Sequence, residues 1–193
     1  VILRDFRLEV EDGWYLEALF VGVDGLIDES ALRMNVLAPL MSTPLDRRFD
    51  LIDQIKQRLH LKNFDQETDL VKAVYRMLQG SALLLVDGYP QAFVLHTEGF
   101  EVRAIEEPPA EAVVRGPREG FVESVATNMT LIRRRINHPS LRFDMMTIGQ
   151  YSKTSVVVCY IDGIADPGLV ERVKSRLKAI QADSVLSSGE IEQ

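Results

Sequence analysis

Apolar and polar positions alternate along residues 2–23, with Phe6, Leu8 and Val10 in a first stretch and a denser apolar run over 16–23 in a second, which predicts two strands. Glu11, Asp12 and Gly13 between them read as a turn. After Val23 comes Asp24-Gly25-Leu26-Ile27-Asp28; Asp28 predicts a helix start as an N-cap, and the missing N–H of Pro39 predicts its end near Ala38. Leu51, Ile52, Ile55 and Leu59 keep helical spacing, as do Leu70, Val71, Val74, Met77 and Leu78, with Gly80 stopping the second of these helices. Residues 82–86 and 91–95 flank Asp87-Gly88 in a hairpin pattern, because Asp-Gly tolerates the positive φ of a tight turn.

Prolines and adjacent acids then interrupt the pattern over 104–118, which places a domain junction there and divides the chain into 1–107 and 108–193. A long helix is predicted to open near Arg118, with Val122, Val125, Met129, Ile132 and Ile136 on one stripe, and to stop before Pro139. Strands at 142–148 and 154–161 follow, joined by a loop that contains Gly149. A last helix, capped by Asp166 and opened by Pro167, turns Leu169, Val170, Val173, Leu177 and Ile180 inward. The fold class is mixed α/β (α+β): two small subdomains, each with a short mixed sheet and packed helices.

Composition agrees with this picture and narrows the function classes. A chain of 193 residues with 46% hydrophobic and 26% charged residues can bury a sizeable core and is unlike a disordered, collagen-like or disulfide-stapled chain. The longest apolar runs, 82–86 and 156–161, are far shorter than the roughly 18 residues of a membrane span. A net charge of −7, from 22 basic and 29 acidic residues, opposes non-specific binding to nucleic acid. Cys159 is the lone cysteine; flanked by Val158 and Tyr160, it is expected to be an inert core thiol in a reducing compartment. The start at Val1 and the stop just after a helical pattern read as a piece of something longer.

Catalytic motifs are missing. His60, His96 and His138 have no metal-ligand spacing, no Gly-rich phosphate loop occurs, and no nucleophile elbow is present. No catalytic residue, cofactor or metal is therefore expected. Two other features stand out. Val23-Asp24-Gly25-Leu26-Ile27-Asp28 is echoed by Ile161-Asp162-Gly163-Ile164-Ala165-Asp166, which reads either as ordinary strand-to-helix punctuation or as two related lobes with a ligand cleft near Asp24 and Asp162. Between Arg115 and Arg142, six arginines face two acids, so an acidic chain carries a basic segment. Helical geometry turns Arg134 away from the core and sets Arg133 and Arg135 beside the apolar stripe, either as a solvated face or as a docking surface for an acidic partner or anionic lipid.

The run Val113-Val114-Arg115-Gly116-Pro117-Arg118-Glu119-Gly120-Phe121, then Asn128, then Leu131-Ile132-Arg133-Arg134-Arg135-Ile136, resembles the signature of the GerA family of spore germination proteins. Gly149 with Ser152-Lys153-Thr154, the turn from Tyr160 to Ala165, and the closing stretch Ser188-Gly189-Glu190-Ile191-Glu192-Gln193 extend the likeness, which is dense from about residue 107 onward and looser before it. The resemblance implies an N-terminal soluble domain of a germinant receptor A subunit, on the cytoplasmic (spore core) side of the inner spore membrane. It implies B and C subunits and further A subunits as partners, a nutrient germinant as the signal, and a role in assembly and signal transmission without catalysis. Arg115, Arg118, Glu119, Asn128 and Arg133 to Arg135 are the interface or coupling residues under this reading. SpoVAF-type spore membrane proteins share the same region and remain an alternative, as does direct binding of a germinant by the two lobes.

Overall fold

The computed structural model describes residues 1–97, 99, 120–185 and 188–191, and the chain divides into two compact units, Val1–Arg118 and Glu119–Gln193. The junction expected after residue 107 lies outside the described residues. The first unit is built on an antiparallel hairpin, β1 (Ile2–Val10) and β2 (Trp14–Gly22), whose register runs from Ile2 opposite Gly22 to Val10 opposite Trp14. Strands β3 (Phe64–Glu67), β4 (Ala82–Val86) and β5 (Ala92–Leu95) complete a five-stranded sheet in the order β1-β2-β4-β5-β3. Mixed α/β is the observed class, but the ladders of both sheets are antiparallel where mixed sheets were expected, because the neighbouring strands β1–β2 and β4–β5 are joined by short turns. The edge strand β3 escaped the sequence reading, since Phe64-Asp65-Gln66-Glu67 carries one large apolar residue and no alternation.

The inner faces of β1 and β2 present Phe6, Leu8, Val10, Ala18 and Phe20 to a core that helices seal with Leu32, Val36, Leu37, Leu40 and Ile55. The first of these helices does not end at Pro39. It runs from α1 (Glu29–Leu32) through a π-helical turn (Arg33–Leu37) into α2 (Ala38–Met41). The wider turn bonds the Ala38 N–H to the Arg33 carbonyl. The Asn35 carbonyl, which an ordinary residue at position 39 would engage, instead accepts the His60 N–H at 2.9 Å. α3 (Leu51–Arg58) and α4 (Leu70–Leu78) start on Asp50 and Asp69, whose carboxylates accept helix N–H groups.

In the second unit, α5 (Val125–Arg135) precedes a two-stranded ribbon of β6 (Leu141–Ile148) and β7 (Thr154–Ile161), and α6 (Pro167–Ala179) follows. Arg133 stacks 4.9 Å from the Phe143 ring centre and Lys174 pairs with Asp144. Phe143 and Asp144 are consecutive, so α5 and α6 lie on opposite faces of the ribbon. Several expectations change here. The first helical residue is Val125, later than Arg118, Val122 precedes the helix, and Ile136 follows it, so Leu131 is the buried residue of α5. Val170 and Leu177 are buried in α6, while Leu169 and Val173 are exposed, since a ribbon of two strands is too narrow to cover a wide helix face. Cys159 is exposed on β7 and is not a core thiol, because α5 covers its side of the ribbon incompletely.

Candidate functional site

Arg133, Arg134 and Arg135 of the basic segment lie on α5. Ser124 caps the helix by accepting the Thr127 N–H at 3.3 Å, and Asn128 clamps the chain before it. Asn128 Oδ1 accepts the Val122 N–H at 2.8 Å and its Nδ2 donates to the Val122 carbonyl at 2.7 Å, so the amide bonds local backbone. Arg133 is half-buried over Phe143, and burial pulls its pKa down from the ordinary arginine value. Arg134 is half-buried as well, and Arg135 is the exposed member of the three. All three close the last turn of α5, where the helix dipole favours cations. Arg115, Arg118 and Glu119 lie outside the described residues.

The far end of the ribbon carries a second constellation. The turn between β6 and β7 grips residues 182–185: Gln150 N–H donates to the Ala182 carbonyl at 2.9 Å and Tyr151 N–H to the Asp183 carbonyl at 2.8 Å. Ser152 Oγ accepts the Val185 N–H at 3.1 Å, and the Thr154 hydroxyl donates to the Val185 carbonyl at 2.6 Å. Ser152 and Thr154 lie 2.9 Å apart, and with the Thr154 proton committed to Val185, the Ser152 hydroxyl donates across that contact. Gly149 has φ 81°, and a Cβ there would sit 2.4 Å from Ser152 Oγ, so the turn needs glycine for both conformation and space. Gly149, Ser152 and Thr154 were legible as part of a signature. Their partner segment was not; Val185, buried in the structure, is an apolar residue after three polar or small ones and is its one sequence trace.

The Asp-Gly echo recurs in backbone form. Gly25 and Gly163 have φ 77° and 83°, Leu26 and Ile164 donate back to Val23 and Ile161, and Asp28 and Asp166 each accept a helix N–H. Side-chain fates diverge: Leu26 is 1% exposed and Ile164 79%, so the apolar pair of the second copy is not in a core. Asp24 and Asp162 are exposed and belong to different units, and Asp162 lies 3.4 Å from Arg142. Among the described residues there is no group of His, Cys, Asp or Glu able to hold a metal, and no helix long and apolar enough to cross a membrane.

Comparison with known proteins agrees with the motifs. Residues 1–193 match the family described as Bacillus/Clostridium GerA spore germination protein. Spore germination protein KA of Bacillus subtilis is 34% identical over the whole chain, which spans 35% of that protein's length. Stage V sporulation protein AF of the same organism is 38% identical over 70% of the chain and 28% of its own. The crystal structure of the N-terminal domain of the A subunit of the Bacillus megaterium spore germinant receptor GerK3 superposes with a TM-score of 0.72 at 28% identity, covering all of this chain and 69% of that one. The signature around α5, the match along the whole sequence and the shared fold together show that this chain belongs to the GerA family of spore germination proteins.

Proposed function

We propose that these 193 residues form an assembly and signal-transmission module of a germinant receptor A subunit, relaying the nutrient signal between subunits and the membrane part of a longer protein. The observation that carries this reading is the likeness, over the whole chain, to the N-terminal domain of the GerK3 A subunit. The module works on the cytoplasmic side of the inner spore membrane. Its contacts are the B and C subunits and neighbouring A subunits, and no catalytic step is assigned to it. Arg134 and Arg135 are the docking residues on α5, Asn128 and Arg133 hold that helix in place, and Arg115, Arg118 and Glu119 are assigned an interface or coupling role from the family signature alone. Guanidinium groups suit acidic partner faces because they hold carboxylates in paired hydrogen bonds.

The test is a pair of charge reversals, Arg134→Glu with Arg135→Glu, in the full-length protein in spores. Nutrient germination should fall while the domain's own thermal unfolding stays unchanged, and the level of partner subunits should fall if assembly fails. Normal germination with normal subunit levels would remove the docking role. The 38% identity to stage V sporulation protein AF supports a second reading, a SpoVAF-type accessory role. Deleting the gene separates the two: loss of the response to one class of nutrient fits a receptor, and an equal change toward every nutrient fits the accessory protein.

A further inference from the structure

The five-stranded sheet of the first unit carries unequal cover on its two faces. One face is sealed by α1, α2 and α3 over Phe6, Leu8, Phe20, Leu84 and Phe93. On the other face the helix α4 packs its Ala73, Met77 and Leu78 with Leu83, Ala92 and Val94. α4 contacts β4, β5 and β3, and the Arg76 to Asp65 ion pair at 4.0 Å shows which of its flanks looks toward β3. At about 100° per residue, Val71 and Tyr75 occupy the opposite flank, toward β2 and β1.

That part of the sheet has an apolar floor. Leu3 pairs with Val21 and Asp5 with Leu19, and Leu19 in turn lies beside Leu85, all on this face. Leu19, Val21 and Leu85 are only half-buried. Leu3 is 67% exposed, and the wall residues Val71 and Tyr75 are 64% and 44% exposed. Strands about 4.8 Å apart and helices about 10 Å apart mean that five strands take two helices on a face, so α4 leaves room for one more. The Arg7–Glu17 ion pair at 2.8 Å closes the far end of the floor. From Leu3 to Arg7 is about 13 Å, the length of roughly nine helical residues.

We infer that this gap seats an amphipathic helix supplied by a part of the longer polypeptide outside these 193 residues. The length of the relatives argues for that source: the GerK3 domain that superposes on all of this chain is matched over only 69% of its own length. Its chemistry follows from the floor and rim: an aliphatic or aromatic stripe faces Leu3, Leu19, Val21, Val71 and Tyr75, and a basic side chain at its edge meets the exposed Asp5. Tethering gives such a helix a high effective concentration, so a gap this small is enough to hold it.

The inference is independent of the germination role and is tested by hydrogen exchange on the 193-residue chain and on the longer natural polypeptide. Amides of Leu70–Leu78 should exchange at least about tenfold more slowly in the longer protein, at every concentration. Val71→Glu with Tyr75→Glu should abolish that slowing while leaving the melting temperature of the 193-residue chain unchanged. Equal exchange in the two proteins would overturn the inference. So would protection that grows with concentration, which would mark a second copy, or protection that needs another subunit.

Discussion

Asn128 holds both backbone polar groups of Val122, donating to its carbonyl at 2.7 Å and accepting from its N–H at 2.8 Å, six residues before its own position. The clamp explains why α5 begins at Val125 although an apolar stripe can be drawn through Val122. Chain that could have continued the helix backward is tied to the helix side by an amide that mimics a backbone unit. Asn128→Ala leaves two half-buried backbone groups without their partner and should cost roughly 1–2 kcal/mol. Urea unfolding of the 193-residue chain checks this, and an unchanged midpoint would show that water replaces the amide at no cost.

The grip of the β6–β7 turn on residues 182–185 makes a second, separable prediction. Thr154→Val removes the hydroxyl that donates to the Val185 carbonyl and should loosen that segment by about 1 kcal/mol. Gly149→Ala should cost more, about 1–2 kcal/mol from the left-handed conformation alone, with Ser152 displaced as well. Hydrogen exchange at the Tyr151 and Val185 amides reads both, and these amides should quicken before the β6 and β7 ladder does. Simultaneous loss of the ladder would mean that the grip is part of the ribbon's own stability.

Cys159 gives a test of the exposed ribbon face. Its thiol is accessible, and partial burial of the sulfur pushes its pKa above the ordinary value, with Arg133 opposing that shift. A thiol reagent should therefore label the native protein fully, at a rate below that of an unperturbed cysteine at pH 8 and rising with pH. Labelling that requires denaturant would restore the buried position expected from its apolar neighbours.

The hairpin β1–β2, the caps Asp28 and Asp166, and the ribbon β6–β7 were legible because each rests on local rules: alternation, turn residues and orphan N–H groups. Pro39 misled because the outcome depended on His60, distant in sequence, taking over the Asn35 carbonyl. Cys159 and Leu169 misled for a common reason. An apolar neighbourhood predicts burial only when the sheet is wide enough to be covered, and strand count is not a local property. The segment 182–185 was invisible because its partners are backbone groups and two hydroxyls about 30 residues away. Of the candidate site, the residue types on α5 were readable from helical spacing, whereas the stacking of Arg133 on Phe143 required the ribbon to be placed first.

Asp46 supplies the pH dependence. Arg48 donates to its carboxylate through Nε at 3.0 and 3.2 Å and Nη2 at 2.7 Å, and through its backbone N–H at 2.9 Å. The Arg48 side chain is the main cause of a pKa lowered from 3.8 to about 2, its backbone N–H the next. Because the folded value lies below the unfolded one, the contribution of the ionised carboxylate is complete above pH 3.8 and is lost as pH falls toward 2. A carboxyl NMR titration should find Asp46 still ionised at pH 3, and Arg48→Ala should return its midpoint toward the ordinary value. Raising salt to about 1 M should move the wild-type midpoint part of the way in the same direction, since an exposed pair is screened. An Asp46 midpoint that ignores both changes would leave the Arg48 pairing without any role in its ionisation.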